Sequence, residues 1–182
     1  MRVTPLAIPE VLLIEPEAFA DERGFFMELW NDTRYAITGI TGPFVQDNLS
    51  YSRRHVLRGL HYQWPCVQGK LVQALAGAVY DVAVDLRPSS PSYCQWVGVE
   101  LSADNRRQLW VPPGFAHGFV VLSEAAIFHY KVTAPYVKED EGTLMWNDPR
   151  FGVEWPVAKP QISPRDAAAV PFESLSPERL PR

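Results

Sequence analysis

The chain has 182 residues, 47% of them hydrophobic and 21% charged, with a formal net charge of −4. That is enough for one domain with a real core, and the negative balance argues against non-specific nucleic-acid binding. Two cysteines without a CxxC are too few for a disulfide scaffold, no apolar run reaches the ~20 residues of a membrane helix, and the first residues lack a signal-peptide core, so a cytoplasmic location is expected.

Pro and Gly punctuate short segments rich in Val, Leu, Tyr, Phe and Trp, which is an all-β pattern. Residues 11–15 read as an opening strand, 21–24 as a turn, 25–29 as the strand after it and 31–37 as a short helix. Strands follow at 44–52, 56–62, 69–75, 78–86, 96–101, 107–111, 118–122 and 126–132. Val79, Val82 and Val84 mix with Asp81 and Asp85, so that strand carries acids on one face. Beyond Trp155 the chain becomes rich in Pro and Ala and reads as a short helix with a tail, about 170–182. So many strands and so few helices predict a double-sheet jelly roll, one domain over residues 1–182.

The polar residues inside these strands are the candidates for chemistry. His61 lies near Arg58, Gln63 and Lys70, too polar a set for plain core, and an ordinary histidine titrates near neutral pH, which suits a general base. Strand alternation puts Arg58 and His61 on different faces unless a bulge intervenes. Lys70 is either an exposed strand lysine or an electrophile that stabilises a developing oxyanion. His117, in Pro112-Pro113-Gly114-Phe115-Ala116-His117, is either a histidine exposed by a tight turn or a hydrogen-bonding support. Tyr130 is packing, or an acid that returns a proton. Arg23 and Arg58 suit a diphosphate, Gln46 and Asn48 the polar edge of a base, and Phe19 and Phe26 a flat ring. Ser163-Pro164-Arg165-Asp166 looks like a helix start, and Asp166 is alternatively a carboxylate that orients His61.

The stretch Arg58-Gly59-Leu60-His61-Tyr62-Gln63 and the later Pro112 to His117 resemble a cupin barrel with a rewritten metal site. Gln63 stands where a metal-binding cupin has its second histidine, and Lys70 where it has glutamate. An ammonium repels a cation, so no metal is expected.

With Asp21 to Phe26, Val45 to Asn48, Gln68 to Val72, Tyr80 to Asp85, Gln108 to Pro112, Gly114 to Phe119, Tyr130-Lys131 and Ser163 to Asp166, the chain resembles the dTDP-4-dehydrorhamnose 3,5-epimerase family from about Ile8 to Ala169. The resemblance implies a metal-free, cofactor-free epimerisation of a dTDP-4-keto-6-deoxyhexose at C3 and C5, in dTDP-L-rhamnose synthesis. It implies His61 as base, paired with Asp166, Lys70 on the enolate and Tyr130 as acid. Asp81 and His117 match positions near the sugar, Arg23 and Arg58 diphosphate contacts. Phe19, Phe26, Glu28, Gln46, Asn48 and Glu141 match the nucleotide end.

The resemblance also implies a homodimer in which residues 19–28 serve the partner's site. Two departures stand out: His129 replaces an aliphatic residue before Tyr130, and Pro135 replaces the first of two aromatics. Relatives that epimerise only C3 or only C5 share nearly all of these motifs. A metal-dependent cupin oxygenase is opposed by Gln63 and Lys70. A sugar-nucleotide binder without turnover is opposed by the set His61, Lys70, Tyr130 and Asp166.

Overall fold

A computed structural model describes residues 1–40 and 42–181. Among the described residues thirteen strands run in chain order: β1 (Arg2–Pro5), β2 (Leu12–Glu15), β3 (Ala18–Asp21), β4 (Gly24–Met27), β5 (Gln46–Arg53), β6 (Leu57–Gln63), β7 (Lys70–Ala76), β8 (Ala78–Asp85), β9 (Trp96–Ser102), β10 (Gln108–Val111), β11 (Phe115–Val121), β12 (Ala125–Val132) and β13 (Glu141–Thr143). Helices α1 (Asp32–Ala36) and α2 (Pro164–Ala167) are short, and three single 3₁₀ turns accompany them. The expected strands are present within one to three residues at each end. β1, β3 and β13 were not expected; they are only three or four residues long, too short to show a period of two. β11 begins three residues earlier than expected, which puts His117 inside a buried strand rather than in an exposing turn.

Two antiparallel sheets stack face to face as a jelly roll. One has the order β1-β2-β10-β7-β12-β5, the other β13-β6-β11-β8-β9, and β3 with β4 forms a separate hairpin. Alternation supplies the core between them: Val72, Ala74, Leu109, Val111 and Phe128 from the first sheet meet Val79, Ala83, Phe115, Phe119 and Val121 from the second. Phe119 and Phe128 stack across this gap with ring centroids 4.2 Å apart. The outer face of the six-stranded sheet is covered by the N-terminal segment, where Trp30, Tyr35, Ile40 and Phe44 pack on Leu71 and Trp110. The C-terminal segment covers the other sheet, with Phe151, Phe172 and Leu180 on Leu60, Val82, Val84 and Ala116.

Candidate active site

At one end of the barrel the inward positions change from apolar to polar. On the six-stranded sheet Lys70, Val132 and Gln46 lie in one cross-strand row, and Val72, Tyr130 and Asn48 in the next. On the five-stranded sheet His61 lies directly opposite His117. Histidine and tyrosine therefore come from opposite walls.

Arg58 and His61 share a face because β6 carries an extra residue. Against β11, His61 pairs with His117 and Arg58 with Phe119, so three steps on β6 match two on β11. The bulge is built on Gly59, with φ +133, and a Cβ there would lie 2.6 Å from the Gly118 Cα. Arg58 donates to Ser52 Oγ (2.9 Å) and to the Tyr51 carbonyl (3.3 Å). Arg58, His61, Ser163, Arg165 and Asp166 line a cleft of about 370 Å³.

His61 Nε2 lies 2.6 Å from Asp166 Oδ1. Asp166 sits in the first turn of α2, where Ser163 Oγ accepts its backbone N–H at 3.0 Å and Pro164 occupies the first turn. The expected helix start is present: the backbone is capped while the carboxylate turns to His61. Burial pushes the Asp166 pKa up, but the hydrogen bonds from His61 and Ser163 outweigh it and hold the group below its ordinary value.

Lys70 is buried, and the hydrogen bonds of the described residues include none from its Nζ. Burial lowers its pKa to about 8, against the upward pull of Asp81 and Glu141. Asp81 is bonded to His117, whose Nε2 is 2.9 Å from Asp81 Oδ1, and its charge also acts on Lys70. Burial raises the Asp81 pKa, opposed by His117 and Lys70. Asp85, the other acid on this face, is tied instead to Arg87 and Ser92 at the far end of the strand. Burial also raises the Tyr130 phenol, against a smaller downward pull from Arg58, so it stays protonated near neutral pH.

Gln63 is buried beside this set and bonded at both ends. Its Nε2 donates to the carbonyls of Cys66 (2.6 Å) and Pro135 (3.1 Å), and its Oε1 accepts from Val137 N (2.9 Å). The amide staples the 133–137 loop to β6. Among the described residues no three His, Cys, Asp or Glu side chains gather as a metal site requires.

Glu141, on β13 opposite Gln63, accepts from the Tyr136 hydroxyl (2.6 Å) and pairs with Arg165. Burial would raise its pKa, yet Arg165 and Tyr136 hold it below the ordinary carboxylate value. Tyr136 and Arg165 were not singled out in the sequence. Tyr136 is 49% exposed at the rim, and Arg165 joins Asp166 to Glu141. The signal for Arg165 was present, since it lies inside the Ser163 to Asp166 motif. Gln46 donates to Asn48 Oδ1 (2.8 Å) and accepts from Tyr136 N (3.0 Å). His129 points to the other face of β12, where its Nδ1 lies 3.1 Å from Gln73 Nε2, so it does not face the Tyr130 side.

Phe19, Arg23, Phe26 and Glu28 are not brought to this cleft within the chain. Phe19, Arg23 and Phe26 stand exposed on the β3–β4 hairpin and line a groove made only of hairpin residues. Arg23 is paired with Asp21, and Glu28 with Arg34.

The profile of the family described as dTDP-4-dehydrorhamnose 3,5-epimerase matches residues 5–174. A relative of that name from Salmonella typhimurium is 54% identical over 172 residues, 93% of this chain and 94% of the relative. The crystal structure of a dTDP-6-deoxy-D-glucose-3,5-epimerase from Legionella pneumophila, in complex with dTDP-4-keto-L-rhamnose, superposes with a TM-score of 0.97. It is 51% identical, and the match covers all of this chain and 97% of that one. A 3′-monoepimerase from Streptomyces bikiniensis, in complex with dTDP-quinovose, has a TM-score of 0.89 at 31% identity, covering 97% of this chain and 91% of its own. Fold, site and sequence agree that the chain belongs to the dTDP-4-dehydrorhamnose 3,5-epimerase family.

Proposed function

We propose that the chain converts dTDP-4-dehydro-6-deoxy-D-glucose to dTDP-4-dehydro-L-rhamnose by inverting C3 and C5, without metal or cofactor. The observation that carries this is a histidine–aspartate pair on one wall, a tyrosine held protonated on the other, and the buried Lys70 side chain, whose ammonium feels Asp81 and Glu141. The C4 ketone acidifies the hydrogens on C3 and C5. His61, oriented and made more basic by Asp166, takes the proton from carbon while the electron pair moves to O4. The Lys70 ammonium, kept charged by Asp81 with His117 behind it, stabilises the enolate oxygen. Tyr130 then gives its proton to the same carbon from the opposite face and is reprotonated from solvent, while His61 releases the proton it took. Two such cycles, one per carbon, give the double epimer.

Arg58 is placed to hold diphosphate oxygens, and the exposed Tyr136 ring offers a stacking face for the base. Gln46, Asn48 and Glu141 supply polar contacts at the nucleotide end. The hairpin residues Phe19, Arg23 and Phe26, with Glu28, complete the nucleotide site of a second copy in a homodimer. The chain forms a single epimerase domain and acts in the cytoplasm.

The test is proton NMR in D2O with purified protein, EDTA and dTDP-4-keto-6-deoxy-D-glucose. Loss of both the C3 and C5 hydrogen signals, abolished by Lys70→Ala and by His61→Asn, is the expected result. Loss of one signal assigns a single-position epimerase, the second reading, which the replacement of an aromatic by Pro135 at the rim favours. Loss of neither removes the reading for this substrate.

A further inference from the structure

A chain of buried side chains runs across the outer face of the six-stranded sheet, away from the cleft. Gln108 Nε2 donates to the Leu29 carbonyl (2.8 Å) and to Gln73 Oε1 (3.1 Å). Gln108 Oε1 accepts from the Tyr35 hydroxyl (2.8 Å), and Gln73 Nε2 approaches His129 Nδ1 (3.1 Å). Gln73, Gln108 and Tyr35 are all buried. One end of this chain is the carbonyl next to Glu28, at the root of the 19–28 arm. The other is the strand that carries Tyr130.

The direction of each bond from Leu29 to His129 is forced, while the Tyr35 hydroxyl has one proton for Gln108 Oε1 or for the Leu29 carbonyl, 3.0 Å away. A carbonyl only accepts, so Gln108 must turn its NH2 toward Leu29. Its second N–H then faces Gln73 Oε1, and Gln73 must turn its own NH2 toward His129. Nδ1 must therefore accept. An imidazolium has no acceptor nitrogen, so a protonated His129 sets N–H against N–H and no amide flip repairs it. The titratable groups near His129 are Asp47 on β5, 3.8 Å from Nε2, and Lys131 on its own strand, itself paired with Asp47. β7 presents Gln73 there and no titratable side chain, Arg106 flanks Gln73 in the groove beyond, and Tyr35 closes the far end. Burial is the largest influence on His129 and favours the neutral ring that the chain requires.

We propose that Gln108, Gln73 and His129 are positioning residues that seat the root of the 19–28 arm through a one-way hydrogen-bond relay, so that the arm presents its nucleotide-binding residues. The proposal rests on the reading that Phe19, Arg23, Phe26 and Glu28 bind the nucleotide. Steady-state kinetics on the full chain test it, with dTDP-4-keto-6-deoxy-D-glucose as substrate. Gln108→Leu raises KM about tenfold, the scale of a buried amide donor lost from both the Leu29 carbonyl and Gln73 Oε1, with kcat within about twofold. Hydrogen exchange at amides 18–29 speeds up in parallel. Tyr35→Phe, a milder change, raises KM severalfold and serves if Gln108→Leu does not fold.

His129→Asn, which places an oxygen acceptor near the Nδ1 position, keeps the wild-type KM at about pH 7.5 and flattens the rise of KM expected of the wild type at acid pH, below the ordinary histidine range because burial disfavours the charged ring. Unchanged KM and exchange in Gln108→Leu and Tyr35→Phe, with KM raised in Phe26→Ala, overturns the relay and leaves the nucleotide reading standing. Unchanged KM in Phe26→Ala removes the nucleotide reading, and this proposal with it. An acid rise in His129→Asn equal to that of wild type overturns the one-way argument.

Discussion

Burying the Lys70 ammonium lowers its pKa to about 8, so the folded chain holds that proton more weakly than the unfolded chain does. Between about pH 8 and pH 10.5 the unfolded state therefore binds more protons, and stability rises with pH through that window. Below it the cost is present in full, of the order of 3 kcal/mol at about 1.36 kcal/mol per pKa unit. Lys70→Met is expected to be more stable than wild type to urea at neutral pH by up to about that amount, and inactive. The gap between the two should close at about pH 10.5, while wild-type kcat falls above about pH 8 as the ammonium is lost. A variant no more stable than wild type at neutral pH would show that the charge is compensated in the fold. His61, Lys70, Tyr130 and Asp166 were all legible as residue types in strands or at a helix start. Their orientation was not, since only tertiary packing sets Lys70 near Asp81 and turns His129 away from the cleft.

The elements that position these groups are one irregular strand and one single-turn helix. The β6 bulge exists because Gly59 can adopt φ +133 while Gly118 crosses within 2.6 Å of where a Cβ would be. Gly59→Ala is expected to cost roughly 3 kcal/mol and to move Arg58 away from His61, seen as a lower Tm and a higher KM together. A wild-type Tm would remove the bulge from the argument. Regular alternation placed Arg58 and His61 on opposite faces, because one extra residue in a strand leaves no mark in a hydrophobic pattern. The α2 cap was legible by contrast: Ser followed by Pro and an acid is a local rule, fulfilled without help from the rest of the chain. β1, β3 and β13 escaped notice because strands of three or four residues are defined by their partners.

At the scale of the whole molecule, the chain exposes a set of large apolar side chains. Phe19, Phe25, Phe26, Leu49 and Tyr51 are each more than half exposed, on the hairpin and on edge strand β5. Such a surface, with a hairpin arm that does not reach its own cleft, predicts a homodimer. Light scattering at micromolar protein is expected to give about twice the 20.6 kDa chain mass. A monomer that turns over at the full rate would disprove arm exchange. The sandwich itself was legible from strand number and spacing, since both sheets follow the period of two. The covering of their outer faces was not, because it depends on where the two terminal segments come to lie.

The Phe119–Phe128 stack lies between the two sheets, two residues below His117 on one strand and two below Tyr130 on the other. It acts as a spacer block for the mouth above it. The gap between His61, opposite His117, and Tyr130, the proposed proton remover and donor, is thus gauged by core thickness. Stereochemical fidelity becomes a matter of wall separation: a sugar ring fits between the two groups only while the block keeps its width. A substitution wholly inside the hydrocarbon interior can therefore change which face of a carbon receives hydrogen, without touching any group that moves one.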